Sequence, residues 1–334
     1  MFKRVAVFLL LAAAIAAATL YYLHRGPNAA QSPAAPELIS LAPAEASYLF
    51  YADLAALRSS PFLARILALA PQPSADREYA EFVRATGFDY SRDLDRVVLA
   101  VRPAGPGNFT VALAEGRFDR ERIIAYALRL GRVERQKGVE VYVVPTTTRA
   151  KEIAFAFLGS NRLALADGPS LAPVLAARAP GASDPGMRER ILRVAGSAIF
   201  ALGQVGPVPE GFSLGGVRSD QFTNLVRSVR WFSSAARPEG ERMRVAVEAE
   251  CDTAENARQL AGTLDGLRLL GQAALADPGT RQRIAPQTAA VLEGLLRTAE
   301  VSLDHQRVRL LLELTPQMLN AAAPKSPAAS RPTR

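Results

Sequence analysis

Cysteine and histidine are nearly missing from this chain: Cys251 is its one thiol, and His24 and His305 are its two imidazoles. A lone cysteine has no partner for an intramolecular disulfide, so a folded body must be held by its own packing. Lipid attachment at an N-terminal cysteine is excluded for the same reason. Zinc centres of the usual Cys/His type fail on ligand count, because Cys251 and His305 are the candidates in the body. Cys251 ends the alternating run Met243 to Cys251 and shares a face with Met243, Val245 and Val247, which predicts a buried strand thiol rather than a nucleophile. A Ser-His-Asp or Cys-His arrangement would have to use His305, yet Asp304-His305-Gln306 reads as a tight turn, where an imidazole is ordinarily solvated.

Phosphate-binding motifs are also wanting. No Gly-x-x-x-x-Gly-Lys-Ser/Thr loop is present, and Leu214-Gly215-Gly216 is too sparse for a dinucleotide fingerprint and reads as a loop. A third scarcity explains the charge. The net +8 and pI near 10 invite a nucleic-acid reading, but neither end of the chain holds an Asp or Glu. Lys3, Arg4, Arg25, Lys325, Arg331 and Arg334 sit in those ends, which leaves 34 basic against 32 acidic residues across 37–319. There the signs alternate, as in Asp119-Arg120-Glu121-Arg122 and Arg188-Glu189-Arg190, the pattern of a solvated surface. A nucleic-acid partner is therefore not expected.

What the chain does have is a long apolar start. Lys3 and Arg4 precede nineteen residues, Val5 to Leu23, without a charge and ending near Tyr21-Tyr22. At about 1.5 Å per residue such a helix approaches the ~30 Å hydrocarbon core, and tyrosines suit its interface. No polar stripe of helical period marks it as a core helix. Residues 1–25 thus read as an export signal or transmembrane anchor with a cytoplasmic N-terminus and an extracytoplasmic body, although His24 and Arg25 reduce the charge asymmetry. The length favours an uncleaved anchor, while Ala16-Ala17-Ala18 would meet the small-residue requirement of a cleaved signal and yield a secreted protein. Residues 26–36 and 320–334, rich in Pro, Ala and Ser, read as a disordered stalk and tail.

Between them the pattern is α+β. Strands are expected at Ser47 to Ala52, Leu94 to Val101, Phe109 to Glu115, Val139 to Val143, Ile153 to Phe157 and Arg162 to Ala166. A helix is expected from Leu54 to Ala70, with Pro61 marking a new start; Asp119 should cap another carrying Ile123, Ala127 and Leu130, and Asp167 should open a short one. Short connections favour antiparallel pairing over a doubly wound parallel sheet. After the Pro/Gly-rich stretch Ala179 to Gly186 the order restarts: strands at Ser197 to Leu202, Leu225 to Ser233 and Arg242 to Cys251, helices at Thr253 to Ala276 and Pro286 to Arg297, then a hairpin of Val301 to Leu303 and Arg307 to Leu314. The joint strand, acid, Asp, helix occurs twice, at Glu115 to Asp119 and at Glu250 to Asp252, where Asp252 with Glu255 could form a capping box. Two similar halves follow, 37–180 and 181–319, each a mainly antiparallel sheet covered by helices, read either as an internal duplication or as the ordinary look of α+β chains.

These joints carry a resemblance. Pro43-Ala44-Glu45-Ala46 leading into Tyr48-Leu49-Phe50-Tyr51-Ala52-Asp53-Leu54, Gly87-Phe88-Asp89 before Asp93-Leu94-Asp95, Gly116-Arg117-Phe118-Asp119 and Glu250-Cys251-Asp252 resemble a loosely defined group of exported or membrane-anchored bacterial proteins of unknown function. The group implies a layout and no activity. Carboxylate chemistry needs no signature, so two acid clusters merit inspection: Glu248 with Glu250 on one strand face, against a solvated sheet face, and Asp89, Asp93 and Asp95, against turn and capping acids or an oxygen-ligated Ca²⁺. No catalytic residue, cofactor site or metal ligand is assigned. The expectation is a non-enzymatic, membrane-tethered module contacting an envelope protein or polymer, with a carboxylate-dependent hydrolase or a carrier of an apolar ligand as alternatives.

Overall fold

A computed structural model of the chain describes residues 35–69, 77–103, 108–146, 152–177, 185–205 and 226–322. The apolar run at 5–23, the stalk before residue 35, the tail from 323, the turn at 104–107, most of the boundary at 179–186 and the Leu214-Gly215-Gly216 loop lie outside them. Among the described residues no helix is long and apolar enough to cross a membrane.

The body opens with α1 (Ala35–Ile39) and β1 (Tyr48–Asp53). Asp53 ends the strand and caps the next helix, its carboxylate accepting from the Ala56 N–H at 2.8 Å, so α2 (Leu54–Arg58) starts at once. Pro61 then opens α3 (Pro61–Leu69), where its missing N–H is harmless. Helices α4 (Arg77–Thr86) and α5 (Tyr90–Asp93) lead to the antiparallel pair β2 (Leu94–Arg102) and β3 (Phe109–Gly116). Asp119 caps α6 (Arg120–Leu130) as expected, accepting from the Arg122 N–H at 3.1 Å. Next come β4 (Arg132–Gln136), β5 (Val139–Pro145), β6 (Glu152–Phe157), β7 (Arg162–Asp167), α7 (Ala172–Ala177) and α8 (Pro185–Val194). The remainder is β8 (Ile199–Gln204), β9 (Val229–Glu239), β10 (Arg242–Cys251), α9 (Ala254–Ala276), α10 (Pro278–Arg283), α11 (Pro286–Thr298), β11 (Glu300–Asp304), β12 (Arg307–Leu314) and α12 (Pro316–Ala322).

Several local expectations are corrected. Strand β4 reads Arg-Val-Glu-Arg-Gln, without apolar alternation, and forms because it is an edge strand closed onto β5 through Lys137 and Gly138, both at positive φ. Asp167 ends β7 rather than opening a helix; Gly168, at φ +117, breaks the chain and α7 begins at Ala172. Strand β9 continues past Ser233 to Glu239 because every residue to Glu239 keeps a partner on β10. The cap of α9 is Thr253, accepting from the Asn256 N–H at 3.1 Å, while Asp252 accepts from the Asn256 side-chain amide at 2.8 Å.

The twelve strands among the described residues join one antiparallel sheet in the order β11-β12-β10-β9-β8-β1-β2-β3-β7-β6-β5-β4. The two proposed halves meet where β1 pairs with β8, from Tyr48↔Gly203 to Ala52↔Ile199. Alternate residues face opposite layers. Leu49, Tyr51, Val98, Phe200 and Leu202 pack under α1, α7 and α8, while Ala52, Ile199 and Val245 pack with Leu57 of α2 and Phe62 of α3 on the other face. On that second face α6 covers Phe155, Phe157 and Leu163, and α9 covers Val229, Cys251 and Val308.

The seam has a half-turn pseudosymmetry. Asp53 N–H donates to the Ala198 carbonyl at 2.7 Å, and Gln204 N–H donates to that of Ser47 at 3.1 Å, the same bond carried over by a half-turn about the β1–β8 pair. The correspondence extends outward. Arg96 pairs with Glu115 and Trp231 with Glu250, and in both cases a bulge follows at once, at Leu94/Arg96 and at Glu250/Cys251. Beyond the bulge, Arg117 N–H donates to the Asp93 carbonyl at 2.8 Å and Asp252 N–H to the Ser228 carbonyl at 2.9 Å. Glu115 then pairs with Arg162 as Glu250's partner strand brings Arg307 opposite it.

Phe200 is fully buried beside this seam and stacks on Tyr51 with ring centroids 5.0 Å apart. Phe200→Ala is expected to destabilise the protein by about 3–5 kcal/mol, read as a lowered urea midpoint. Leu192→Ala, at a residue 69% exposed on α8, should stay within about 0.5 kcal/mol of the parent.

Candidate functional site

Glu248 and Glu250 do share a strand face, but neither a solvated surface nor an open acid pair results. Helix α8 covers them. Arg190 donates to Glu250 from Nε at 3.1 Å while its guanidinium lies 4.2 Å over the Trp231 ring, and Arg193 donates to Glu250 at 3.2 Å. Glu248, 4% exposed, accepts from Arg309 at 3.1 Å and has Arg193 Nε 3.5 Å away, an ion pair without hydrogen-bond geometry. Three guanidiniums thus enclose two carboxylates, and the space among them is too small for a water. Arg190, expected on a solvated surface because of its neighbours Arg188 and Glu189, is instead a packed cation.

The corresponding row in the first half is a charge ladder. Arg96 donates to Asp53 at 3.3 Å and to Glu115 at 2.7 Å; Arg162 donates to Glu115 at 3.3 Å and also to Glu37 of α1. Acid and base alternate across β1, β2, β3 and β7 because each pair is directly opposed in register. Asp53 and Glu115 are both buried, and burial with the nearby Asp53 charge pushes the Tyr51 phenol far up.

Asp89, Asp93 and Asp95 do not converge. Asp89 caps α5, accepting from the Ser91 N–H at 2.9 Å and hydroxyl at 2.7 Å, and these bonds hold its carboxyl below the usual range. The Tyr79 hydroxyl donates to it at 3.2 Å, and burial pushes that phenol up to about 12. Asp95 is the unpaired bulge residue and binds Arg58 at 2.5 Å. Asp93 is buried and accepts from both Nε and Nη2 of Arg92, at 3.0 and 2.7 Å, and from the Asp89 N–H at 3.0 Å. The Arg92 fork is the main reason its carboxyl lies far below the ordinary value. Among the described residues no three His, Cys, Asp or Glu side chains are placed to hold a metal ion.

These acids instead buttress an open cleft of ≈ 620 Å³ between the α4–α5 joint, the start of α6 and the β6–β7 turn. Its floor is aromatic: Phe88 stacks on Phe118 at 5.3 Å, with Phe82 edge-on to Phe88 at 6.2 Å. Its rim carries Arg92, Arg117 and Arg122, whose side chains are 67%, 61% and 65% exposed. Each has an acid behind it, Asp93 for the first two and Asp119 at 3.2 Å for the third. The guanidiniums are thereby oriented yet keep donors directed to solvent. Gly116 lets the floor approach so closely, since a Cβ there would stand 2.3 Å from the Asp93 carbonyl oxygen. Among the described residues the cleft lies at the first of the two strand-to-helix joints. Between the bulge partner and the helix cap the first half runs Gly116-Arg117-Phe118-Asp119 and the second Cys251-Asp252-Thr253, so Phe118 is the additional residue.

The other sequence candidates lie apart from it. Cys251 is 1% exposed, and burial pushes its thiol up, as a buried strand cysteine should behave. His305 sits at φ +54 in the β11–β12 turn, 92% exposed, with Nδ1 2.8 Å from Asp304.

The fold and cleft define an α+β protein built on one large antiparallel sheet. No family model and no curated protein matches the chain. Among solved structures, crystal forms III and IV of TP0453 are similar to it, each with a TM-score of 0.47, at 8% and 9% identity. The likeness covers 85% of this chain and 96% and 94% of theirs.

Because the Asp93 carboxyl is depressed in the folded state, its ionised form contributes stability above the ordinary carboxylate value of about 3.9, and that contribution is lost as pH falls toward the folded value. Asp93→Asn should therefore cost on the order of 1–3 kcal/mol at pH 7, with the gap to the parent closing in acid. Urea midpoints of both chains across the acid range test this.

Proposed function

We propose that this chain is a membrane-tethered, extracytoplasmic module that binds a protein or polymer of the cell envelope through the cleft beside α6. The tether is the uncharged run 5–23, with the N-terminus cytoplasmic. One observation carries the binding reading: three well-exposed arginines, each oriented by an acid, stand over a stacked phenylalanine floor. Such a surface suits a partner that presents carboxylates or phosphates beside apolar groups. The matching bulges, registers and helix joints on either side of the β1–β8 seam support reading the two halves as an internal duplication.

A hydrolase built on Glu248 and Glu250 gains no such support, because α8 lies over both carboxylates and their oxygens face guanidiniums. Three measurements test the proposal. A reporter fused after residue 36 should be active only outside the cytoplasm, and the purified chain should begin at its original N-terminus; a cytoplasmic reporter refutes the location, and a start beyond Ala18 refutes the tether. Turnover of an envelope substrate that disappears in Glu248→Gln/Glu250→Gln would replace binding by catalysis.

A further inference from the structure

The three arginines of the cleft differ in which donors they keep. Arg92 directs Nε and Nη2 onto the two oxygens of Asp93, and Nη2 also donates to the Gly87 carbonyl at 3.2 Å, so Nη1 is the end left for a ligand. Arg117 has Nε 3.5 Å from the same Asp93 oxygen that Arg92 Nε binds, and its Nη2 donates to the Arg92 carbonyl. Its Nη1 lies 3.8 Å from Asp95, beyond hydrogen-bond range, and that carboxylate already holds Arg58 at 2.5 Å. Arg122 turns Nε toward Asp119, 3.2 Å away, with Nη1 and Nη2 beyond it.

Shared contacts hold the three heads close together. Arg92 and Arg117 meet at one oxygen of Asp93, and Arg122 Nη1 stands 3.5 Å from the place a Cβ on Gly87 would take. Gly87, at φ +73, is thus held by Arg92 on its carbonyl and approached by Arg122 on its open side. The charged residues lining the cleft are these three arginines, Asp93 and Asp119, and Asp93 is buried behind two of the guanidiniums. Three cations against two carboxylates leave one positive charge in surplus, on side chains 61% to 67% exposed.

This geometry selects among anions. A carboxylate holds two oxygens in one plane and is matched best by a free guanidinium fork. The Nε/Nη2 fork of Arg92 is filled by Asp93, and Arg117 has the same two nitrogens turned to the protein. What remains is donors arriving from three separate side chains, which suits the three diverging oxygens of a phosphate monoester; a diester keeps only two. A cleft of ≈ 620 Å³ has room for that group and its substituent, and the stacked, half-buried Phe88 and Phe118 offer the substituent an aromatic face.

We propose that the cleft binds a phosphomonoester bearing an aromatic or other apolar substituent, with the phosphate among Arg92, Arg117 and Arg122 and the substituent on the phenylalanine floor. The inference rests on the binding reading of the cleft and narrows it to one chemistry.

The test is calorimetric titration of the full chain, in neutral detergent micelles, with phenyl phosphate, inorganic phosphate, methyl phenyl phosphate and benzoate. Phenyl phosphate should bind about tenfold or more tightly than each of the others, since every lost charge-assisted bond or ring contact lowers affinity by about that factor. Arg117→Gln and Arg122→Gln should each weaken it by roughly tenfold. Arg122→Gln removes only an exposed i,i+3 pair and should leave the urea midpoint unchanged, so its effect reads on the ligand. Benzoate that binds as tightly, and is weakened by the same variants, overturns the phosphate and leaves the cleft reading standing. Equal binding of inorganic phosphate overturns the apolar substituent, and equal binding of methyl phenyl phosphate overturns the monoester. If no anion binds in a way that the two variants weaken, the inference and the cleft reading fall together. Repeating the phenyl phosphate titration on chains in phosphatidylcholine vesicles, with phosphatidic acid or with phosphatidylglycerol, separates the sources of the group. Competition by phosphatidic acid alone assigns it to a lipid headgroup and undiminished binding to a soluble or polymer-borne ester, and either upholds the monoester; equal competition by phosphatidylglycerol overturns it.

Discussion

The antiparallel pairing of β1 with β8 is the constraint on which the architecture depends. β1 lies between β2 and β8, and β8 between β1 and β9, so the seam joins the strands on either side into one sheet, of twelve strands among the described residues. Its chemistry is exacting. Gly203 faces Tyr48 so closely that a Cβ would stand 2.3 Å from the ring, and Phe200, Leu202, Leu49 and Tyr51 fill the layer beneath α1, α7 and α8. Losing the seam would expose the inner edges of both halves, which is how edge strands lead to aggregation.

Polar rows flank that apolar seam on both sides. In one, Asp53, Arg96, Glu115 and Arg162 alternate across four strands; in the other, Trp231 stands where Arg96 does and Arg190 descends from α8 to stack on it and neutralise Glu250. Buried ion pairs add little net stability but make wrong registers costly, because a slip of one residue would bury a charge without a partner. The carboxylates are thus structural even where their types and spacing suggest catalysis. The cleft forms at the bulge beyond Glu115, where Phe118 lengthens the joint.

Much of the fold was legible in the residues. Alternation located β2, β3, β6, β7, β10 and β12, Asp119 and Pro61 marked helix starts, and Cys251 was rightly placed on a buried strand face. Segments without alternation were silent: β4 is a strand only because β5 gives its backbone a partner. Roles of charged residues were the hardest to read. Arg190 and Arg193 belong by sequence to an ordinary charged helix, and their burial follows from α8 lying over Glu248 and Glu250, strand residues about sixty positions away. The cleft likewise draws on Phe88, Phe118 and the Ser160-Asn161 turn, which no local pattern connects.

The sequence by itself determined the local rules: an uncharged span after a basic pair, strands of period two, caps at acids and prolines, and charge concentrated in the ends while the body is nearly balanced. Those features depend on neighbours within a few positions, where propensity and periodicity act. Tertiary structure decided that the two strand sets form one sheet, that the paired glutamates are enclosed, and that three arginines converge over two phenylalanines. Such outcomes depend on cross-strand register and on which helix covers which face, and these are set by packing between residues distant in the chain rather than by any residue's own preference.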